Sequence, residues 1–251
     1  MSSERDFELE KPRESDKTTV PVYSAKSAKS AKSGKYEEFK GIKIAVLDYG
    51  IGNIRSAEKA LQHIGAAAYL ADLPEKVGDA HGVVLPGVGA FGACVDALRN
   101  TRLDKAALDA IEKGIPFLGI CVGFQLLYEG SLESPGAKGL GIFSGRVEEL
   151  SSSEKHPQMQ WNLIKRRRES RLLDGLADPI WAYFVHSYSP PLGQETAAVC
   201  EYGSQVAAVA ELGNVWGTQF HPEKSGAAGM EMLANFVRSC SPSFKDEFGG
   251  N

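Results

Sequence analysis

The segment IPFLGICVGFQ, Ile115 to Gln125, decides the fold. An apolar run, Ile115–Ile120, reads as a buried strand, and it passes directly through Gly119-Ile120-Cys121-Val122-Gly123 into a helical pattern. This is G-x-S-x-G with sulfur in place of oxygen, the pattern of a nucleophile elbow, in which flanking glycines relieve crowding at a strained strand-to-helix turn. The turn holds the nucleophile out into a cleft, and the next backbone N–H, here that of Val122, is placed to help form an oxyanion hole. A helix N-terminus also favours the thiolate over the thiol. A buried cysteine in a tight turn would leave the same local pattern, because free cysteine is commonly buried. A partner base elsewhere in the chain has to decide.

Outward from this elbow, short apolar runs alternate with amphipathic segments, the mark of β-α units that build a parallel sheet. Ile42–Leu47, Ala68–Leu70 and His81–Leu85 read as strands, and Asn53–Ile64, Val95–Glu112 and Val122–Tyr128 as helices. After Gly139 the texture becomes strand-rich: Gly141–Leu150, Trp161–Arg167, Ile180–Val185, Ala197–Tyr202, Gln205–Glu211 and Val215–Phe220 run short between turn residues. A helix at Ala227–Ser239 closes the pattern. The expected architecture is a single α/β domain over residues 41–240, with a mostly parallel central sheet, flanking helices and a strand-rich C-terminal half.

The base is found at Gln219-Phe220-His221-Pro222-Glu223-Lys224-Ser225, at the end of an apolar strand. In an extended segment residues i and i+2 point to the same side, so Glu223 can reach the His221 imidazole and hold its tautomer. Pro222 stiffens that geometry. Cys121, His221 and Glu223 therefore read as a Cys-His-Glu triad for nucleophilic attack on a carbonyl. A second oxyanion element is expected at Pro86-Gly87-Val88-Gly89, where glycine-rich backbone follows a strand.

Composition narrows the partners. Lys+Arg 28 against Asp+Glu 32 gives a net charge of −4, which argues against nucleic acid as the main partner. No window is apolar for long enough to span a membrane, and residues 1–30 lack the apolar stretch of a secretory signal, so a cytoplasmic setting is expected. Cys94, Cys121, Cys200 and Cys240 form no C-x-x-C pair and no cluster at metal-ligand spacing, so neither a metal nor a cofactor is expected. Residues 1–40, with tandem Ala-Lys-Ser triplets from Ala25 to Ser33, read as a disordered tail, and 241–251 as a flexible end.

With these residues in hand the chain resembles the class I (triad) glutamine amidotransferases and, among them, the glutaminase subunits of imidazole glycerol phosphate synthase. The resemblance rests on Asp48–Asn53 (DYGIGN), Pro86–Phe91 (PGVGAF), Gly119–Gln125 (GICVGFQ), Gly139–Val147 (GLGIFSGRV), Tyr183–Tyr188 (YFVHSY) and Thr218–Gly226 (TQFHPEKSG), in order across about residues 42–239. It implies a flavodoxin-like fold and glutamine hydrolysis through a glutamyl thioester on Cys121, with His221 moving the proton and Glu223 orienting it. Gly87, Val88 and Gly89 would form the oxyanion loop. Gln125, Glu133, Ser187 and Tyr188 match positions that hold the amino-acid end of L-glutamine. The ammonia would pass to a (β/α)8 cyclase subunit, in a heterodimer that serves histidine biosynthesis. Asn53, Met159, Trp161, Asn162, Tyr183 and Lys224 match positions at that docking face.

The chain departs from the family where Pro157-Gln158-Met159-Gln160-Trp161-Asn162 stands for the common Pro-His-Met-Gly-Trp-Asn, and a bulkier Gln160 at a tight glycine position bears on which synthase is served. An amidotransferase feeding another synthase is the rival reading. A dinucleotide fingerprint, suggested by Gly50, Gly52 and Asp72, is broken by Arg55 where a small residue is required. Lys165–Arg168 reads as a solvated face with phosphate binding as its alternative, and Trp161, Trp181 and Trp216 as core anchors unless the motif claims them.

Overall fold

A computed structural model describes residues 36–241. The nucleophile segment becomes β4 (Phe117–Cys121), every residue of which is buried, as a strand covered on both faces requires. Around it run β1 (Lys43–Leu47), β2 (Ala67–Ala71), β3 (Gly82–Gly87) and β12 (Val215–Thr218), all parallel in the order β2-β1-β3-β4-β12. The same sheet continues antiparallel through β11 (Gln205–Leu212), β10 (Thr196–Glu201), β7 (Gln158–Arg166) and β8 (Ile180–His186). This extension is the strand-rich half of the sequence. Helices α1 (Ile54–His63), α2 (Phe91–Asn100), α3 (Leu103–Glu112) and α5 (Gly226–Ser239) flank the sheet and bury their apolar stripes in one core with it.

Two expected helices differ. Val95–Glu112 is two helices, α2 starting four residues earlier and α3 following a break at Thr101–Arg102. Arg102 takes a left-handed backbone, and the Thr101 hydroxyl donates back to the carbonyls of Ala97 and Leu98, ending α2 despite an unbroken apolar period. Val122–Tyr128 contracts to a single turn, α4 (Val122–Gln125), before β5 (Tyr128–Ser131). The carbonyls of Leu126 and Leu127 accept from residues 140, 142 and 143 instead of continuing the helix. β5 pairs with β6 (Phe143–Glu149), which pairs with β9 (Tyr188–Ser189) in a small second sheet.

Packing is already present before the expected boundary at Gly41: Glu37–Phe39 form a 3-10 turn that buries Phe39, and Tyr36 stacks on it. Residues 1–35 and 242–251, the rest of the expected tails, lie outside the described residues.

Candidate active site

β4 lies between β3 and β12, all three parallel, so their C-terminal ends bring the three chemical segments together. Gly87 pairs with Cys121 across β3–β4, which puts the start of the oxyanion loop beside the nucleophile. Ile120 pairs with Thr218 across β4–β12, which delivers Gln219 and His221 on the other side.

Cys121 has φ 57° and ψ −113°, a backbone that non-glycine residues rarely adopt. The elbow survives because its neighbours lack side chains: a Cβ on Gly123 would sit 1.8 Å from the Leu85 carbonyl oxygen, and one on Gly119 2.7 Å from that of Gly123. With α4 only one turn long, few aligned peptide dipoles face the sulfur, so the partner that matters is His221.

His221 and Glu223 are brought together, although not in the expected way. The strand stops at Thr218, and Pro222–Lys224 form a 3-10 turn with Pro222 in its first position. The turn is fastened by Ser225 Oγ, which donates to the His221 carbonyl at 2.7 Å. Within it His221 Nδ1 and Glu223 Oε1 lie 2.8 Å apart, with both side chains 3% exposed. The carboxylate fixes the proton on Nδ1 and leaves Nε2 available to Cys121. Burial alone would lower the His221 pKa, but the bonds and charges of Cys121 and Glu223 outweigh it and raise it to about 10. The site favours an imidazolium at His221.

The Pro86–Gly89 loop, the expected oxyanion element, is held from beneath. Tyr49 donates its hydroxyl to the Pro86 carbonyl at 2.7 Å, and the Cys94 thiol donates to the Val88 carbonyl at 3.3 Å. Burial raises the pKa of both groups, so both stay protonated donors. Gly89, with φ +83°, ends the loop, and α2 starts at Phe91 without a capping side chain of its own. The loop after β5 supplies the caps: Glu133 Oε2 accepts from the Phe91 N–H at 2.7 Å and Ser134 Oγ from the Gly92 N–H at 3.2 Å.

Gln125, buried on α4, spends both amide hydrogens inside the protein. One goes to the Tyr188 carbonyl at 2.8 Å and one to Gln219 Oε1 at 3.2 Å. What remains for a ligand is its Oε1, an acceptor. Ser187 and Tyr188 are half-buried at the β8–β9 junction, beside Gln125 through that same carbonyl.

A family model described as glutamine amidotransferase class-I matches residues 45–240. The chain belongs to the class-I glutamine amidotransferases. It is 46% identical to imidazole glycerol phosphate synthase subunit HisH of Methanosarcina mazei over 203 residues, 79% of this chain and 99% of that protein. HisH of Bacillus cereus (strain G9842) is 45% identical over 194 residues, 77% of this chain and 93% of its own. Among solved structures, PurLQS from Thermotoga maritima shares the fold at a TM-score of 0.66 and 20% identity, over 80% of this chain and 100% of that one. Another glutamine amidotransferase does so at 0.64 and 19%, over 80% and 99%.

In this amidotransferase Met159, Trp161 and Tyr183 share the outward face of the β7–β8 hairpin, with Trp161 paired to Tyr183 and their rings edge-on at 6.0 Å. Met159 is 64% exposed, Trp161 48% and Trp181, on the same face, 45%; only Trp216 of the three tryptophans is a core anchor. Lys224 is exposed in the turn beside His221, and Asn53 stands before α1 with its Oδ1 accepting from Ser56 Oγ. Strand alternation turns Asn162 to the opposite face, where its amide donates to the Glu201 carbonyl. Gln160 is an exposed strand residue without positive φ, so no glycine is required there, while Gln158 is fully buried with its amide against Cys200 Sγ. Arg166 and Arg168 spend their guanidinium groups on the carbonyls of Leu173, Leu176, Glu195 and Glu211, which leaves Lys165 and Arg167 as the exposed cations of that basic run.

Cys94, Ser134, Gln219 and Trp181 hold places at the site that the sequence reading does not give them. Gln219 could have been found: it lies two residues before His221, and extended backbone puts i and i+2 on one side.

Proposed function

We propose that this chain is the glutaminase subunit of an imidazole glycerol phosphate synthase: it hydrolyses L-glutamine to glutamate and passes the ammonia to a (β/α)8 cyclase subunit in the cytoplasm. The observation that carries the reading is the buried His221–Glu223 pair poised on Cys121, in a chain 43–46% identical to HisH subunits along most of its length.

The Cys121 thiolate attacks the side-chain amide carbon of glutamine. The negative oxygen that develops is met by the Val122 N–H and by backbone N–H groups of Gly87–Gly89. Protonated His221 gives its proton to the departing nitrogen, the C–N bond breaks, and ammonia leaves a glutamyl thioester on Cys121. His221, now neutral, takes a proton from water. The hydroxide adds to the thioester carbon, the C–S bond breaks, and glutamate departs from a restored thiolate. Glu223 keeps the imidazole in the required tautomer throughout. The free Oε1 of Gln125 suits the α-ammonium group of glutamine, which donates and cannot accept. Glu133, Ser187 and Tyr188 complete the amino-acid end.

The exposed apolar face of Met159, Trp161, Trp181 and Tyr183 borders the catalytic turn, since Tyr183 accepts from the His221 N–H. A partner seated there covers the exit through which ammonia would otherwise reach solvent. The test is glutamate release by the purified chain with and without the same organism's cyclase and its ribotide ligand, with Cys121→Ala as blank. Cys121-dependent release that requires the cyclase is the expected result. Release indifferent to the cyclase would reassign the acceptor synthase, and no release in the complex would overturn the glutaminase reading.

A further inference from the structure

Gln219 is fully buried just after β12, between Cys121 and Gln125. Its Nε2 donates to Cys121 Sγ at 3.9 Å, and its Oε1 accepts from Gln125 Nε2 at 3.2 Å. Its backbone N–H donates to the Ala208 carbonyl, so the side chain is anchored on the sheet. The triad mechanism does not use this amide.

We propose that Gln219 is a positioning residue with two tasks: its N–H holds the Cys121 thiolate in line with His221, and its carbonyl orients the Gln125 amide so that an acceptor faces the α-ammonium of glutamine. The inference rests on the glutaminase reading above.

The physical argument is one of satisfiability. Gln125 has two amide hydrogens and one acceptor oxygen. The Tyr188 carbonyl and Gln219 Oε1 take both hydrogens, and neither oxygen could donate to the Oε1 that a reversed Gln125 amide would present. A reversed Gln125 would set its Oε1 against those oxygens, leaving buried acceptors unpaired and turning N–H groups toward the ligand. Gln219 in turn can offer Oε1 to Gln125 only if its Nε2 faces the sulfur. The direction of one amide therefore sets the other. A neutral N–H against a thiolate stabilises the anion without supplying a proton that would quench it, and the charge that balances the thiolate stays on His221. In a cleft screened from water such a donor keeps its orientation through the reaction.

Two readouts separate this role from simple packing. The first is the pH profile of Cys121 alkylation by iodoacetamide in the full chain, for the wild type and for Gln219→Met and Gln219→Glu. Both variants keep the length of the side chain and lose the neutral donor. Alkylation slowed about tenfold at pH 7, with the profile displaced upward by about one unit, is expected. Variants that fold, by circular dichroism, and alkylate along the wild-type profile would overturn the proposal. The second needs no variant: in the 15N-labelled wild type, the Gln219 side-chain amide resonances should move as the Cys121 thiolate titrates. Resonances that stay fixed would overturn the proposal even if neither variant folds. Alkylation that depends on Gln219 in a complex that releases no glutamate would uphold the contact and reject only the glutaminase reading.

Discussion

At the scale of single residues, two histidines in neighbouring segments are pushed in opposite directions. His221 is raised to about 10 because Cys121 and Glu223 outweigh its burial, so its interactions stabilise the fold fully below the ordinary value of 6.5. That contribution is lost as pH rises towards 10. His186 is lowered to about 4, first by burial, with Nδ1 bound to the Tyr188 carbonyl. Between 6.5 and 4 the unfolded chain binds a proton at His186 that the native protein refuses, so stability falls as pH falls through that window. Urea unfolding at stepped pH should show both arms. His186→Gln should flatten the acid arm and His221→Gln the alkaline arm; arms unchanged by either substitution would reject the assignment. Catalysis gives the second residue-scale prediction. Glu223→Gln removes the carboxylate that fixes the His221 tautomer, and glutamate release should drop about 1,000-fold, with the KM for glutamine little changed.

At the scale of elements, the proposed oxyanion loop depends on a helix that does not cap itself. Ala90 precedes α2 without a side-chain acceptor, and Glu133 and Ser134 reach over to bind the first two N–H groups. Ser134→Ala should cost about 1 kcal/mol in urea unfolding, the ordinary worth of a cap, and should lower kcat because the freed end of α2 is where the loop is tethered. Gly123→Ala is a harsher test, since its Cβ meets the Leu85 backbone. The variant should fail to give folded protein, because β3, β4 and α4 cannot all keep their places. These couplings mark where sequence reading ended. The elbow, both glycines and the Cys-His-Glu set were legible because each is a local pattern with a local cause. The break at Thr101–Arg102 and the strand at Tyr128 were not, because carbonyls there are claimed by a hydroxyl or by residues 140–143, against an apolar period that runs on. An extended His-Pro-Glu predicts the right contact with the wrong backbone, since a 3-10 turn also brings i and i+2 together. The trans cap of α2 joins residues 42 apart and leaves no mark in either segment alone.

At the scale of the molecule, the sheet returns to its own centre. β8 is four places from β12 in hydrogen-bonded order, yet Tyr183 accepts from the His221 N–H and its own N–H is held by Ser225 Oγ at 3.0 Å. The antiparallel half therefore curls, and the outward face of the β7–β8 hairpin ends at the catalytic turn. Trp161 and Trp181 make that face apolar at a place where an isolated subunit would gain by burying them. Their rings are large, rigid and exposed next to the reacting groups, the setting in which aromatic residues dominate an interface. Trp161→Ala should weaken association with the proposed cyclase partner about 30-fold, equivalent to about 2 kcal/mol, and Trp181→Ala should weaken it by a comparable factor if the whole face is covered. Neither side chain bonds to the triad, so iodoacetamide should alkylate Cys121 in the free variants at the wild-type rate. Isothermal titration of each variant with the cyclase reads the first effect, and the alkylation rate reads the second. Loss of cyclase binding with alkylation intact places the tryptophans at the docking face, whereas wild-type affinity in both variants would move the partner to another side of the molecule.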